Sequence, residues 1–198
     1  MSDRDDGGVR RLGRAWFGRD APVVAAELLG KLIVHELPAG DGGRAAGRIV
    51  EVEAYTEDDP ASHTHRGRTP RTEVMFGPPA HLYVYLSYGI HACANVVTGP
   101  DGDGQAVLLR AVVPVEGVEA MRARRGGRGD RALADGPGKL TQALGIELRH
   151  DGHDLAGEGS TLSILDDGVD PPTTPVVGPR VGITRATSTP WRFRVPSG

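Results

Sequence analysis

The spacing of hydrophobic and polar residues predicts a helix and two strands in the first third of the chain. Apolar residues at helical spacing follow Asp20 and stop at Gly30, which predicts a helix over 21–29 with Asp20 as its N-cap. Residues 31–37 form a short apolar run typical of a strand. Residues 48–55 show period-2 alternation and are the clearest strand in the sequence.

The two faces of the 48–55 strand differ sharply in character. One face is predicted to carry Glu51, Glu53 and Tyr55. The other face is predicted to carry Val50, Val52 and Ala54. Two carboxylates beside a tyrosine are not a core pattern, because charged side chains are rarely buried without partners. This face is therefore a candidate for a functional site.

A β-hairpin is predicted next, with arms at 82–86 and 91–97 and an apex at 87–89. Tyr83 and Tyr85 share one of its faces. The chain then predicts a strand at 105–113, helices at 116–124 and 137–145, and short strands at 161–165, 180–184 and 191–195. Together these elements indicate one mixed α+β domain over residues 16–198. Residues 1–15 read as a polar, disordered tail.

Composition limits the class of protein without deciding its function. The chain has 198 residues, 38% of them hydrophobic, and one cysteine, Cys93, which excludes an internal disulfide and a multi-cysteine zinc site. No apolar run approaches the ~18–20 residues of a membrane span, and the charged N-terminus does not resemble a secretory signal. These features favour a cytoplasmic protein. The net charge of -3 argues weakly against nucleic acid, since a binding surface is a local property.

The rare residue types concentrate between residues 55 and 95. All four tyrosines, the single asparagine (Asn95) and four of the seven histidines lie there. The tyrosines suit stacking on a planar ring, or alternatively packing of the hairpin into the core. Tyr88, at the predicted apex, suits a side chain that wedges into a duplex. His63 and His65 lack an obvious third metal ligand, so we expect hydrogen bonding to a base edge rather than metal binding.

Glu53 is the leading candidate for a general base, since a carboxylate in a partly apolar pocket can deprotonate a water and stabilise a cationic sugar. The alternative is a surface carboxylate paired with an arginine. For Glu51 we favour that alternative, a structural ion pair. Arginines at 122–131 and at 66–71 indicate either phosphate contacts or solvated loops.

Six motifs occur in order: Arg48-Ile-Val-Glu-Val-Glu-Ala-Tyr55, Arg71-Thr-Glu-Val-Met-Phe-Gly77, Leu82-Tyr-Val-Tyr-Leu-Ser-Tyr-Gly89, Asn95-Val-Val97, Val107-Leu-Leu-Arg-Ala111 and Gly136-Pro-Gly-Lys-Leu-Thr-Gln-Ala-Leu144. In these motifs the chain strongly resembles the alkyladenine (3-methyladenine) DNA glycosylases over residues 15–195. The resemblance implies a compact mixed α/β domain with a curved, mainly antiparallel sheet flanked by helices. It also implies a β-hairpin that enters the minor groove, and excision of alkylated or deaminated purines without a metal or other cofactor.

The resemblance also assigns roles to residues of this chain. Glu53 matches the acid that activates the attacking water, and Arg110 lies near it. Tyr88 matches the side chain that fills the gap left by the flipped base. Residues that match the base pocket are Tyr55, His63, Tyr85, Asn95 and Leu108. The 56–65 loop is one residue shorter than in animal members, which leaves His65 as an alternative to His63.

The expected partner is duplex DNA that contains damaged purines, bound by a monomer in the cytoplasm. Only Lys31 and Lys139 carry side-chain amines and neither lies in the 55–95 window, so water rather than a lysine is the expected nucleophile. Two alternatives stay open. One is a lesion-binding protein without catalysis, and the other is a glycosidase that acts on free nucleosides or other small substrates.

Overall fold

The computed structural model describes residues 8–129 and 132–196. Its α-helices are α1 (Arg14–Phe17), α2 (Ala21–Leu28), α3 (Val118–Arg124) and α4 (Pro137–Leu144), and 3-10 helices form at Ala39–Asp41, Glu73–Phe76 and Leu148–His150. Its strands are β1 (Arg10–Arg11), β2 (Leu32–Glu36), β3 (Arg44–Tyr55), β4 (Leu82–Ser87), β5 (His91–Thr98), β6 (Gln105–Glu116), β7 (Leu162–Asp166), β8 (Val176–Gly178) and β9 (Arg192–Arg194). Within the described ranges, no helix combines the length and apolarity needed to cross a bilayer.

All these strands belong to one sheet with the order β1-β7-β2-β3-β6-β5-β4, and β9 pairs with both β3 and β8. Every strand pair in it is antiparallel. Helices α2 and α4 pack on the sheet and share one hydrophobic core with it, represented by Leu28, Leu140, Val52 and Leu109. This architecture confirms the predicted class, a single mixed α+β domain built on an antiparallel sheet.

Helix α2 begins and ends close to the predicted positions. Asp20 occupies the N-cap position, although its side chain makes no capping hydrogen bond, and Pro22 lies in the first turn. Gly30 follows the helix with a φ of +85°, a conformation that favours glycine and turns the chain into β2. Strands β3 and β6 run longer than predicted, because their outer ends pair with each other and with β2.

Of the three register shifts between β3 and β6, one lies between Ala46 and Gly47 and two lie around Glu51, next to the site. Ile49 pairs with Val112 and Glu51 with Ala111, so Val50 is an extra residue on β3. Val52 then pairs with Leu109, which makes Arg110 an extra residue on β6. The first bulge corrects the predicted face: Ile49, rather than Val50, joins Val52 and Ala54 in the core. Bulges re-aim side chains near functional sites, and the second one directs Arg110 at the carboxylates of β3.

Two segments differ from the sequence-based predictions. Residues 1–7 of the predicted tail lie outside the described part of the chain. Its remainder is packed, with Arg10 and Arg11 paired to β7 and Leu12 buried, so ordered structure begins before residue 16. The strand predicted at 180–184 is wrong. That segment is irregular, because Arg180 and Val181 are held by contacts with side chains and a carbonyl of other segments instead of by a strand ladder.

The β4–β5 hairpin matches its prediction in both arms and in its apex. Tyr85 pairs with Cys93 and Tyr83 with Asn95, which brings these four side chains to one end of the sheet. At the tip Tyr88 and Gly89 both have positive φ, 51° and 72°, as a type I′ turn requires. The Tyr88 side chain projects from this tip and is 89% exposed.

Candidate active site

Glu53 lies near the end of β3 and is completely buried. Its Oε2 atom accepts a hydrogen bond from the Tyr55 hydroxyl at 2.8 Å. Its Oε1 atom accepts one from the Val181 backbone N–H at 2.7 Å and lies 3.3 Å from Nη1 of Arg110. Because an ionised carboxylate has lone pairs for about four donors, these three partners leave capacity for one more.

Glu51, two residues earlier on β3, is an anchor for two arginines. Its Oε1 atom accepts hydrogen bonds from Nε of Arg110 at 2.7 Å and from Nε of Arg192 at 2.8 Å. Burial alone would raise the pKa of Glu51, but the two guanidinium groups outweigh it and hold that pKa below its usual range. This geometry confirms the structural ion pair favoured from the sequence, and it fixes the guanidinium of Arg110 beside Glu53.

A cavity of about 660 Å³ opens in front of Glu53. Three residues that contact Glu53, namely Tyr55, Arg110 and Val181, also line the cavity. The Glu53 carboxylate therefore lies immediately behind the cavity wall. Leu108 and Asn95, which are paired across β5 and β6, form part of the same lining. A cavity of this size, lined in large part by aromatic and polar side chains, is large enough for a planar heterocycle.

The aromatic part of the lining is pre-arranged. Tyr83 and Tyr85 stack with their ring centroids 5.5 Å apart, and the His63 ring meets Tyr85 edge-on at 4.6 Å. His63 Nδ1 also lies 3.0 Å from the Tyr83 hydroxyl. Burial raises the pKa of Tyr85 and lowers the pKa of His63, so both rings are held neutral near pH 7. A neutral imidazole suits contact with a flat, uncharged or cationic ring.

The two candidate histidines of the 56–65 loop occupy different environments. Both line the cavity, but within the described ranges only His63 makes a side-chain hydrogen bond and ring contacts with the tyrosines. Both histidines are exposed to solvent, so these contacts, and not exposure, distinguish them. The geometry therefore favours His63 over His65 as the histidine of the aromatic wall.

Asn95 is buried against the backbone of β4. Its Nδ2 atom donates to the Tyr83 carbonyl at 3.2 Å, which fixes the amide plane.

Within the described ranges, no group of three or more His, Cys, Asp or Glu side chains could hold a metal ion.

Comparison with known proteins adds independent evidence. The family model described as "Methylpurine-DNA glycosylase (MPG)" matches residues 15–197 of this chain. The chain belongs to the methylpurine-DNA glycosylase family. Similar proteins named "Putative 3-methyladenine DNA glycosylase" include one from Burkholderia lata, 54% identical over 93% of this chain and 87% of its own length. Others come from Methanoculleus marisnigri, 50% identical over 90% and 92%, and Carboxydothermus hydrogenoformans, 47% identical over 92% and 93%.

Membership of the methylpurine-DNA glycosylase family makes the protein a DNA glycosylase and a DNA-repair hydrolase. The structure, in turn, shows residues near Glu53 that the sequence did not point to. Val181, Arg180 and Asp59 contact the surroundings of Glu53, yet none was a candidate. Arg180 and Asp59 lie 121 residues apart in irregular segments, so no local periodicity links them.

Two arginines of the 122–131 run hold parts of the fold of this glycosylase together. Arg124 donates to the carbonyls of Ala143 and Asp41, and Arg125 donates to the carbonyl of Leu133. Arg131 lies outside the described residues. These contacts connect α3 to its neighbours. This structural role differs from both predictions made for the run, phosphate binding and a solvated loop. At the cavity mouth, in contrast, Arg66 and Arg185 have no ion pair within the described ranges.

Proposed function

We propose that this protein flips alkylated or deaminated purines out of duplex DNA and hydrolyses their N-glycosidic bond with a water activated by Glu53. The observation that carries the proposal is the buried Glu53 carboxylate directly behind the wall of the aromatic cavity. Candidate substrates are 3-methyladenine, 7-methylguanine, hypoxanthine and ethenoadenine. We assign the protein to base-excision repair as a monomer acting on cytoplasmic, nucleoid DNA.

In this proposal the base stacks among Tyr55, His63 and Tyr85. Aromatic stacking contributes ~1–3 kcal/mol per base and tolerates several ring types, which suits a broad lesion range. Leu108 supplies an apolar contact. The fixed amide of Asn95 lines the cavity, and we infer that it discriminates against undamaged guanine by excluding its exocyclic amine.

Hydrolysis requires little beyond a positioned water for lesions that are already cationic. Alkylation at N3 or N7 leaves a purine that departs readily as the sugar becomes oxocarbenium-like. The Glu53 carboxylate then takes a proton from the attacking water and stabilises the developing positive charge. Arg110, held by Glu51, offsets part of the negative charge of the two carboxylates, and we infer that it helps to fix the water site.

The duplex is opened from the minor groove by the hairpin tip. Tyr88 occupies the space of the flipped nucleotide, and unstacking costs a few kcal/mol, least for poorly paired lesions. Arg66 and Arg185 line the cavity, and we infer that they contact phosphates near that nucleotide. Local cations of this kind reconcile DNA binding with a net charge of -3.

The side-chain amines support a hydrolytic reaction without lyase activity. Lys31 Nζ is bound by Asp166 and by the Val169 carbonyl, and Lys139 is paired with Asp135. Neither lysine lines the cavity. Among the residues that the structure describes, the pocket therefore offers no lysine for a Schiff base with the sugar, and we infer that water is the nucleophile.

Glu53→Gln tests the function. The amide keeps the shape but cannot take a proton, so release of 3-methyladenine from duplex DNA is expected to fall by about 10²- to 10⁴-fold while lesion binding persists. Glu158→Gln, at an exposed glutamate away from the cavity, is the matched control and should keep full activity. Near-normal turnover by Glu53→Gln would refute the assignment.

Two further readouts separate the alternatives on the same samples. Release from free nucleosides that equals release from the duplex would favour a small-substrate glycosidase. Binding to lesion duplex with no base release by the wild-type protein would favour a catalytically silent reader. Borohydride trapping of a protein–DNA adduct would contradict a purely hydrolytic mechanism.

A further inference from the structure

A buried ion pair lies directly behind the wall of the active-site cavity. The Arg180 and Asp59 side chains are 0% and 1% exposed. Arg180 Nη2 donates to Asp59 Oδ1 at 3.0 Å, and Nη1 donates to Oδ2. Buried ion pairs often contribute no net stability, because desolvation offsets the attraction between the charges. A contribution to stability is therefore not a sufficient explanation for the burial of this ion pair.

The contacts of Arg180 lead to Glu53 along β3. Its Nη1 atom also donates to the carbonyl of Ala54, the residue between Glu53 and Tyr55, at 2.9 Å. Its guanidinium carbon lies 4.6 Å from the centre of the Tyr55 ring. On its other side it lies 5.4 Å from the Trp191 ring. Arg180 thus fixes the ring whose hydroxyl donates to Oε2 of Glu53.

A second route leads to Glu53 through the chain itself. Val181 follows Arg180 directly, and its N–H donates to Oε1 of Glu53 at 2.7 Å. The segment after it lacks strand pairing, and Gly182 has a φ of +76°. Arg180 is therefore the anchor that sets where the Val181 N–H points. Both oxygens of Glu53 depend on this one guanidinium.

Asp59 extends the arrangement to the loop that carries His63. Its Oδ1 atom accepts the N–H of Ala61 at 3.0 Å, in addition to its bonds with Arg180. Ala61 and His63 both line the cavity. One carboxylate therefore connects the base-stacking loop to the neighbours of the general base.

We propose that Arg180 and Asp59 are positioning residues for the reaction. They fix the Tyr55 hydroxyl and the Val181 N–H on the two oxygens of Glu53, and so hold the carboxylate in the orientation that activates water. This inference rests on the proposed function. The planar fork of arginine is essential to it, since a lysine amine cannot serve Asp59, the Ala54 carbonyl and the Tyr55 ring at once.

The test compares single-turnover base release with binding for Arg180→Lys and Asp59→Asn. The measurements are the active fraction by titration, the rate constant with enzyme in excess over lesion duplex, and the affinity for a duplex with a tetrahydrofuran abasic analogue. We expect the rate constant to fall about 10- to 100-fold, as for a misplaced catalytic group, with affinity changed less than about 3-fold. Arg48→Lys is the matched control, because Arg48 forms a similar two-bond pair with Asp167 away from the cavity.

The double variant Arg180→Lys/Asp59→Glu separates positioning from stability. A shorter cation facing a longer acid preserves the ion pair, so thermal stability should recover while the rate constant stays low. A full rate constant in the double variant, or in the active fraction of Arg180→Lys, would overturn the proposal. Wild-type and Glu53→Gln proteins are measured in the same experiment. If these two proteins release base equally, the proposed function itself is wrong, and that outcome is distinct from a failure of the positioning proposal.

Discussion

Tyr55 combines two tasks in one side chain. Its hydroxyl donates to Glu53 while its ring lines the cavity, with Arg180 against it. Burial and the adjacent Glu53 carboxylate raise the pKa of Tyr55, which keeps its hydroxyl protonated as a donor across the pH range of the reaction. The sequence pattern placed Tyr55 and Glu53 on one strand face, which is sufficient to predict their contact.

Tyr55→Phe separates these tasks. The ring remains for stacking and the donor is lost. A hydrogen bond to a charged group contributes ~1.5–3 kcal/mol, so base release should slow by roughly 10- to 100-fold with lesion affinity nearly unchanged. Single-turnover kinetics and binding to the abasic analogue measure the two effects. An equal loss in both would mean that the hydroxyl contributes to base binding instead.

At the scale of elements, the hairpin was predictable and the 180–184 segment was not. The β4–β5 hairpin has alternating arms around a Tyr-Gly apex, so its local sequence specifies the turn. Residues 180–184 have the composition of a strand, but Arg180 finds its partners in Asp59 and Ala54. Periodicity reports local backbone preference and carries no information about such distant side-chain partners. The partners that surround Glu53 could therefore be identified only from the three-dimensional structure.

Tyr88→Ser tests the role of the hairpin tip. We expect the affinity for lesion duplex to fall by ~10-fold or more, because the serine cannot replace the lost stacking. Tyr88→Phe retains the ring and should retain the affinity. Base release from a lesion in single-stranded DNA, which needs no wedge, should be affected less. Unchanged duplex binding by Tyr88→Ser would refute the wedge.

For the whole molecule, a histidine cluster couples folding to pH. His35 and His150 meet at 5.0 Å between ring centroids, and His153 lies 6.1 Å from His150. Burial, reinforced by neighbouring histidines and by Arg149, lowers the pKa of His35 and of His150, and burial lowers that of His153. The unfolded chain then binds more protons as the pH falls below about 6.5, so acid favours unfolding.

The urea midpoint should therefore be constant above about pH 7 and fall as the pH drops below about 6.5. His150→Asn removes one member of the cluster and should reduce the dependence. His65→Asn, at an exposed histidine, is the control and should leave the dependence unchanged. A midpoint that rises between pH 7 and 5.5 would contradict this linkage.

The paired bulges of β3 and β6 constrain how this sheet can change. Val50 is an extra residue on one strand and Arg110 on the other, and the two offsets cancel within a few residues. Loss of either one alone would shift the register of everything beyond it. Such a shift turns side chains to the opposite face of the sheet, so loss of Val50 alone would turn Glu53 away from Arg110 and the cavity wall. The register around Glu53 is therefore kept only when both extra residues are present or both are absent.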